Sequence, residues 1–238
     1  MNNYYRYLFS KEHFPMTSKK CSTSTSIGKK QIMGVTGLLL CGFVLTHLLG
    51  NLTLFIGSDA FNKYSHALTS NPLIYLAEVG LVILFFSHIV MAIKLTRENK
   101  AARPTDYYMR TKSGRGSTFA SSTMIYSGVI TLIFLIIHIN GLKFGTHYDT
   151  NIAGVEMRDI YRTTIEYFQA PLHLAIYLIA VITLGIHVSH GFWSAFQSLG
   201  LNHPKYMPKL RCASVLFGLL IAIGFSTLAI YCYLQGGH

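Results

Sequence analysis

Hydrophobic positions gather into five runs, at about 31–56, 73–96, 121–142, 169–197 and 212–234, and the segments between them collect the charged and polar residues. Each run approaches or exceeds the roughly 20 residues that a helix needs to cross about 30 Å of hydrocarbon. Backbone N–H and C=O groups find no water there, so each run is expected to be helical. The runs are too long, and alternate too little, to be strands of a membrane barrel. The pattern therefore predicts an all-α membrane protein with five transmembrane helices. A polar N-terminal segment (1–30) precedes the membrane domain (31–238).

Charge adds a direction to this picture. Only 12% of the 238 residues are charged, against about 25% in an ordinary soluble domain, yet the net charge is +11. Nucleic-acid binding is not needed to explain it, because the basic residues are sorted by side. Arg6, Lys11, Lys19, Lys20, Lys29 and Lys30 precede the first run; seven more Lys and Arg lie in 94–115; Lys205, Lys209 and Arg211 precede the fifth. With five spans these share one side, and only Lys63, Lys143, Arg158 and Arg162 fall on the other. Basic loops stay in the cytoplasm. The expected location is the inner (cytoplasmic) cell membrane, multi-pass, with the N-terminus cytoplasmic and the C-terminus outside. The first thirty residues show no short apolar core ahead of a small-residue cleavage site, so no signal peptide is expected. The four cysteines are scattered and form no Cys-x-x-Cys-His, which argues against covalent c-type haem.

The apolar runs are interrupted by imidazoles. His47, His88 and His138 lie in the first three, and His187 and His190 in the fourth. Ionisable groups inside a membrane are costly and usually functional. Each histidine falls about two-thirds of the way along its run. Since successive spans run in opposite directions, His47 and His138 are expected near the outer face, and His88 and His187 near the inner. Imidazole is a common axial ligand of haem iron, and two pairs at two depths suit two bis-histidine haems inside a bundle of the first four helices. His190 lies one turn beyond His187 and is the alternative ligand; depth favours His187. Small residues follow each histidine on its own face: Gly50, Gly141 and Gly191, with Ala92 after His88. They are expected to leave room for a macrocycle.

The stretches TGLLLCGFVLTHLLGN (36–51), SGVITLIFLIIH (127–138) and HVSHGFWSAFQSLG (187–200) resemble the di-haem cytochrome b anchor of the succinate dehydrogenase and fumarate reductase (complex II) family. The resemblance runs from about residue 30 to 234. It implies a membrane anchor and electron-transfer subunit that is not itself catalytic toward succinate or fumarate. The partners implied are a flavoprotein and an iron–sulfur subunit at the cytoplasmic face, and a membrane quinone, commonly menaquinone. Two b-type haems are implied, with iron ligands His88 and His187 (inner) and His47 and His138 (outer). The match of HVSHGFW to the family pattern selects His187 over His190. Succinate oxidation and fumarate reduction share this scaffold.

The sequence departs from some relatives at two carboxylates. There is none in SHALTSNPL (65–73) before the second span, and Gly185 stands where some carry a glutamate two residues before the last ligand. Candidate quinone-site residues are therefore His66, Asp59 and Glu78. Arg110, Arg115, Tyr126 and Ser127 are candidate partners of haem propionates. A cytochrome b of a hydrogenase, formate dehydrogenase or nitrate reductase is the alternative reading. A transporter with proton-relay histidines is a third, and it predicts no haem.

Overall fold

The computed structural model describes residues 25–102 and 123–236. Five helices are long and apolar enough to cross a membrane. They are α1 (Ser26–Asn51, prolonged by a 3-10 turn Leu52–Phe55), α3 (Leu73–Ala101), α4 (Met124–His138, prolonged by a π turn Ile139–Lys143), α6 (Pro171–Ser198) and α7 (Met207–Gln235). They coincide with the five apolar runs to within a few residues at most ends. Where they overshoot, polar turns extend the helix past the hydrocarbon: Arg97 to Lys100 on α3, and Met207 to Arg211 on α7. Local chemistry sets the starts. The Thr25 hydroxyl accepts from Gly28 N at 3.1 Å, and prolines occupy the first turns of α6 and α7, where a missing N–H costs nothing.

The segments on the hairpin side are more ordered than their mixed polarity suggested. A short helix α2 (Ser58–Thr69) follows α1. An antiparallel hairpin of β1 (Asp149–Ile152) and β2 (Val155–Arg158), then helix α5 (Ile160–Phe168), follow α4. The hairpin turns through Ala153 and Gly154, both at positive φ, as a tight two-residue turn requires. Asn62 welds these pieces into a cap. It is almost fully buried, donates to Asp159 Oδ1 at 2.8 Å and accepts from Tyr161 N at 2.9 Å. Arg158 donates to the carbonyls of Lys143 and Leu142 at 2.8 and 3.1 Å. Those oxygens lie at the end of the π turn, where the helix leaves carbonyls without intrahelical donors.

Within the bundle α1 packs on α3, α6 and α7, and α4 packs on α6. The closest pairing is α6 with α7. There Gly185 faces Gly218 and Ala222, and Gly218 faces Ser189, the small-residue contact that lets membrane helices approach backbone to backbone. Ser214, wholly buried, donates to the Ser189 carbonyl and accepts from Trp193 N at 3.3 Å. By contrast, α3 buries no residue at all and α4 only Ser127. The first four helices are thus a looser group than the α6–α7 pair that backs them.

Candidate functional site

His47 on α1 and His138 on α4 meet ring to ring. Their centroids are 5.8 Å apart and their planes nearly perpendicular, at 86°. Two metal–nitrogen bonds of about 2 Å each, plus a ring radius at either end, put the centroids of two axial imidazoles about 6 Å apart. The helices carrying them make little backbone contact with each other. His88 on α3 and His187 on α6 stand close enough to feel each other's charge. No group of three or more His, Cys, Asp or Glu side chains converges among the described residues; axial ligation of a macrocycle needs only two.

Three of the four rings are held at Nδ1. Thr36 Oγ1 on α1 lies 3.2 Å from His88 Nδ1. Ser127 Oγ on α4 lies 3.0 Å from His187 Nδ1. The Tyr177 hydroxyl on α6 lies 3.3 Å from His138 Nδ1 and is itself hydrogen-bonded to Tyr167. In each case Nε2 is the nitrogen left for a metal. His47 differs: Asn51 Nδ2 approaches its Nε2 at 3.5 Å while bonding its carbonyl at 2.8 Å, and Phe43 stacks on its ring at 5.5 Å.

A repeat in the sequence underlies this arrangement. Thr36, Gly37, His47 and Gly50 recur in register as Ser127, Gly128, His138 and Gly141. The eleven residues from hydroxyl to histidine make three helical turns, so both face the same way about 16 Å apart along the axis. In each half the hydroxyl–glycine pair on the first long helix meets the histidine of the second. Gly37 lies against His88, and Gly128 against His187. A short cap helix intervenes and lays one tyrosine on the later glycine, Tyr64 on Gly50 and Tyr167 on Gly141. This corrects the expectation for Gly50 and Gly141, which clear space for tyrosine rings rather than for a macrocycle. Gly191 does face open space. The hydroxyl–glycine dipeptides were visible in the sequence, but only their common interval before each histidine marks them.

Other residues fall out as follows. His190 lies edge-on to Trp193 at 5.1 Å, beside Arg211, whose guanidinium covers the indole at 4.6 Å; among the described residues it has no imidazole partner across the bundle. Ser127 is engaged by His187, and Tyr126 is largely exposed on the outside of α4. Arg110 and Arg115 lie outside the described residues. Asp59 is exposed in the first turn of α2, His66 sits in its last turn, and Glu78 pairs with Lys143 at 2.5 Å. These three do not converge. Gly185 cannot be exchanged for a glutamate without moving α7, since a Cβ there would stand 2.7 Å from both the Gly218 carbonyl and the Ala222 methyl.

The cap encloses a cleft that sequence reasoning did not anticipate. Gly141, Tyr148, Glu166, Tyr167 and His173 line it, together with Thr146, Thr163 and Ala170. Tyr167 stacks on His173 at 4.1 Å, and its carbonyl is bonded to that ring at 2.8 Å. Tyr148 donates to Glu166 at 2.5 Å, and Arg162 donates to the same carboxylate at 2.8 Å. The Tyr148 bond, then the Arg162 bond, hold Glu166 below the usual carboxylate range, while the same carboxylate pushes Tyr148 up.

No protein-family model and no solved structure matches the chain. Over 204 residues it is 26% identical to the succinate dehydrogenase cytochrome b558 subunit of Bacillus subtilis, a similarity that covers 83% of this chain and 90% of that protein.

Proposed function

We propose that the chain is the membrane anchor and electron-transfer subunit of a succinate:quinone oxidoreductase, holding two b-type haems between an iron–sulfur subunit and membrane quinone. The observation that carries this reading is the pairing of His47 with His138, at a spacing that fits one iron, in a chain similar over most of its length to a cytochrome b558 subunit. His88 and His187 hold the second haem, near the basic ends of the helices, and His47 and His138 the first, under the cap. Haem bound there supplies a reversible one-electron couple. The protein's own part is to fix the rings, to keep water out with apolar helix faces, and to space the two pairs by three turns.

The end bearing Lys29, Lys30, Lys94 and Arg211 faces the cytoplasm on this reading and receives the iron–sulfur subunit, with the flavoprotein beyond it. Quinone exchanges at the cap. The cleft of Tyr148, Glu166, Tyr167 and His173 supplies proton-bearing groups there, in place of the carboxylates that some relatives use. Through Tyr167 and Tyr177 it is connected by hydrogen bonds to His138. His66, Asp59 and Glu78 are not needed for this role.

The test is purification of the complex from membranes with its partners, followed by a reduced-minus-oxidised spectrum and a haem count. Two haems per chain and a b-type α-band are expected. Alanine at His47 or His138 removes one haem, and alanine at His88 or His187 the other, while alanine at His190 removes neither. A haem-free complex, or co-purification with hydrogenase or molybdenum subunits, refutes the proposal.

A further inference from the structure

We infer that Thr36 and Ser127 are positioning residues: their hydroxyls accept a proton-bearing Nδ1 from His88 and His187, so that each ring presents a bare Nε2 to the iron of the inner haem. The inference rests on the haem assignment above and concerns a different set of atoms.

Counting protons favours one direction for these bonds. A hydroxyl has one proton to give. Thr36 Oγ1 lies 2.8 Å from the Ile32 carbonyl and 3.2 Å from the Met33 carbonyl. Ser127 Oγ lies 3.0 Å from the Met124 carbonyl. A carbonyl can only accept, so the hydroxyl proton is directed at the backbone in both residues. The remaining contact of each oxygen, with the imidazole, then has the ring as donor. A neutral imidazole that donates through Nδ1 carries its lone pair on Nε2. Both inner ligands are therefore set in the one tautomer that can bind iron as it stands. Gly37 and Gly128, next to the hydroxyls in sequence, lie against the Cε1 edges of the two rings.

Such a bond does more than orient. Donation from Nδ1–H to an oxygen makes the ring more basic and favours the ferric iron. Its removal should raise the midpoint potential of the inner haem and leave the outer one alone. Losing an outer-shell partner typically costs about 10–100-fold in metal affinity. A tenfold change that falls on the ferric form alone is about 59 mV for one electron.

The experiment uses the whole complex with Thr36→Val, Ser127→Ala and the double variant. Thr36→Ser and Ser127→Thr are the conservative partners. Thr46→Val is the control: Thr46 also bonds a backbone carbonyl one turn back, Gly42 at 3.2 Å, but it is exposed and touches no imidazole. Haem count, low-temperature electron paramagnetic resonance and a redox titration are read on each. In the double variant one haem should shift its midpoint upward, its ferric/ferrous ratio at a given potential falling tenfold or more, or be lost while the other remains. The conservative variants and Thr46→Val should match wild type. Two haems with both midpoints unmoved in the double variant overturn the inference and leave the haem assignment standing. So does a loss that the conservative variants share. A wild-type complex without haem overturns the assignment instead. Should the Val and Ala variants fail to accumulate, redox-difference infrared spectra of the wild-type complex labelled with nitrogen-15 histidine decide the question. A ring mode typical of hydrogen-bonded Nδ1–H at both inner ligands supports the inference, and the unbonded position refutes it.

Discussion

Replacing Gly185 by alanine puts the α6–α7 contact to its most direct test. The added methyl would stand 2.7 Å from the Gly218 carbonyl oxygen and 2.7 Å from the Ala222 methyl. One is backbone and the other is fixed on Cα, so neither can rotate away. The helices must separate by roughly the deficit from ordinary contact, or about 1 Å. Overpacking of this kind typically costs about 1–3 kcal/mol. Gly218→Ala should cost a similar amount, because its methyl would meet the Gly185 carbonyl and Ser189 from the other side. The double variant should lose less than the sum, since helices already spread by one methyl accept the second more easily. Gly42→Ala is the reference: nothing lies within 4 Å of that position, and alanine is the better helix former. Reversible unfolding in mixed micelles, followed by far-ultraviolet circular dichroism, gives the free energies. The reasoning fails if Gly185→Ala is as stable as Gly42→Ala, or if the two glycine variants add without coupling.

Further outcomes follow from the cap and the helix ends. Asn62→Leu leaves Asp159 and Tyr161 N without their partner and should cost about 1–3 kcal/mol, seen as faster amide exchange and proteolysis in 58–69 and 160–168 before any change in the spans. Arg158→Met uncovers the carbonyls of Leu142 and Lys143 and should raise exchange at the π turn of α4, while a lysine retaining one donor should recover part of it. Glu166 has its pKa lowered by Tyr148 and Arg162, so its contribution to cap stability is present above the ordinary carboxylate value of about 4.3 and is lost as pH falls through its own lower value. Glu166→Gln should flatten that acid limb in cap-region exchange, and an unchanged limb counts against the ion cluster. The exposed Glu78–Lys143 pair should contribute no more than about 1 kcal/mol, and Lys143→Met should leave unfolding in high salt unchanged.

Much of the architecture was legible because bilayer thickness imposes a length that composition must obey. That is why α1, α3, α4, α6 and α7 could be placed, apart from the early starts of α1 and α7 and the late end of α3. The histidines were legible for the same reason: a polar ring at a fixed depth has few excuses. The cap was not. Residues 58–69 and 143–168 have mixed polarity and short elements, and their order comes from one buried asparagine whose partners lie nearly a hundred residues away. The glycines misled in a physical way. A small residue one turn from a ligand has room for something, but the sequence does not say whether a tyrosine such as Tyr64 or Tyr167 fills it. Thr36 and Ser127 were in plain view and went unremarked, or were assigned to propionates, because a hydroxyl in a membrane helix usually satisfies itself on its own backbone. Here it does that and still has a lone pair to offer.

The bareness of α3 has a consequence for assembly. On the haem reading, each iron takes one imidazole from the α1–α3 half and one from the α4–α6 half, and little other protein contact joins α3 to the second half. The metal centres then act as rivets between α3 and the second half. A chain starved of porphyrin would reach the membrane with its segments inserted but its second span held by α1 alone, and quality control would have a physical handle by which to tell finished subunits from empty ones.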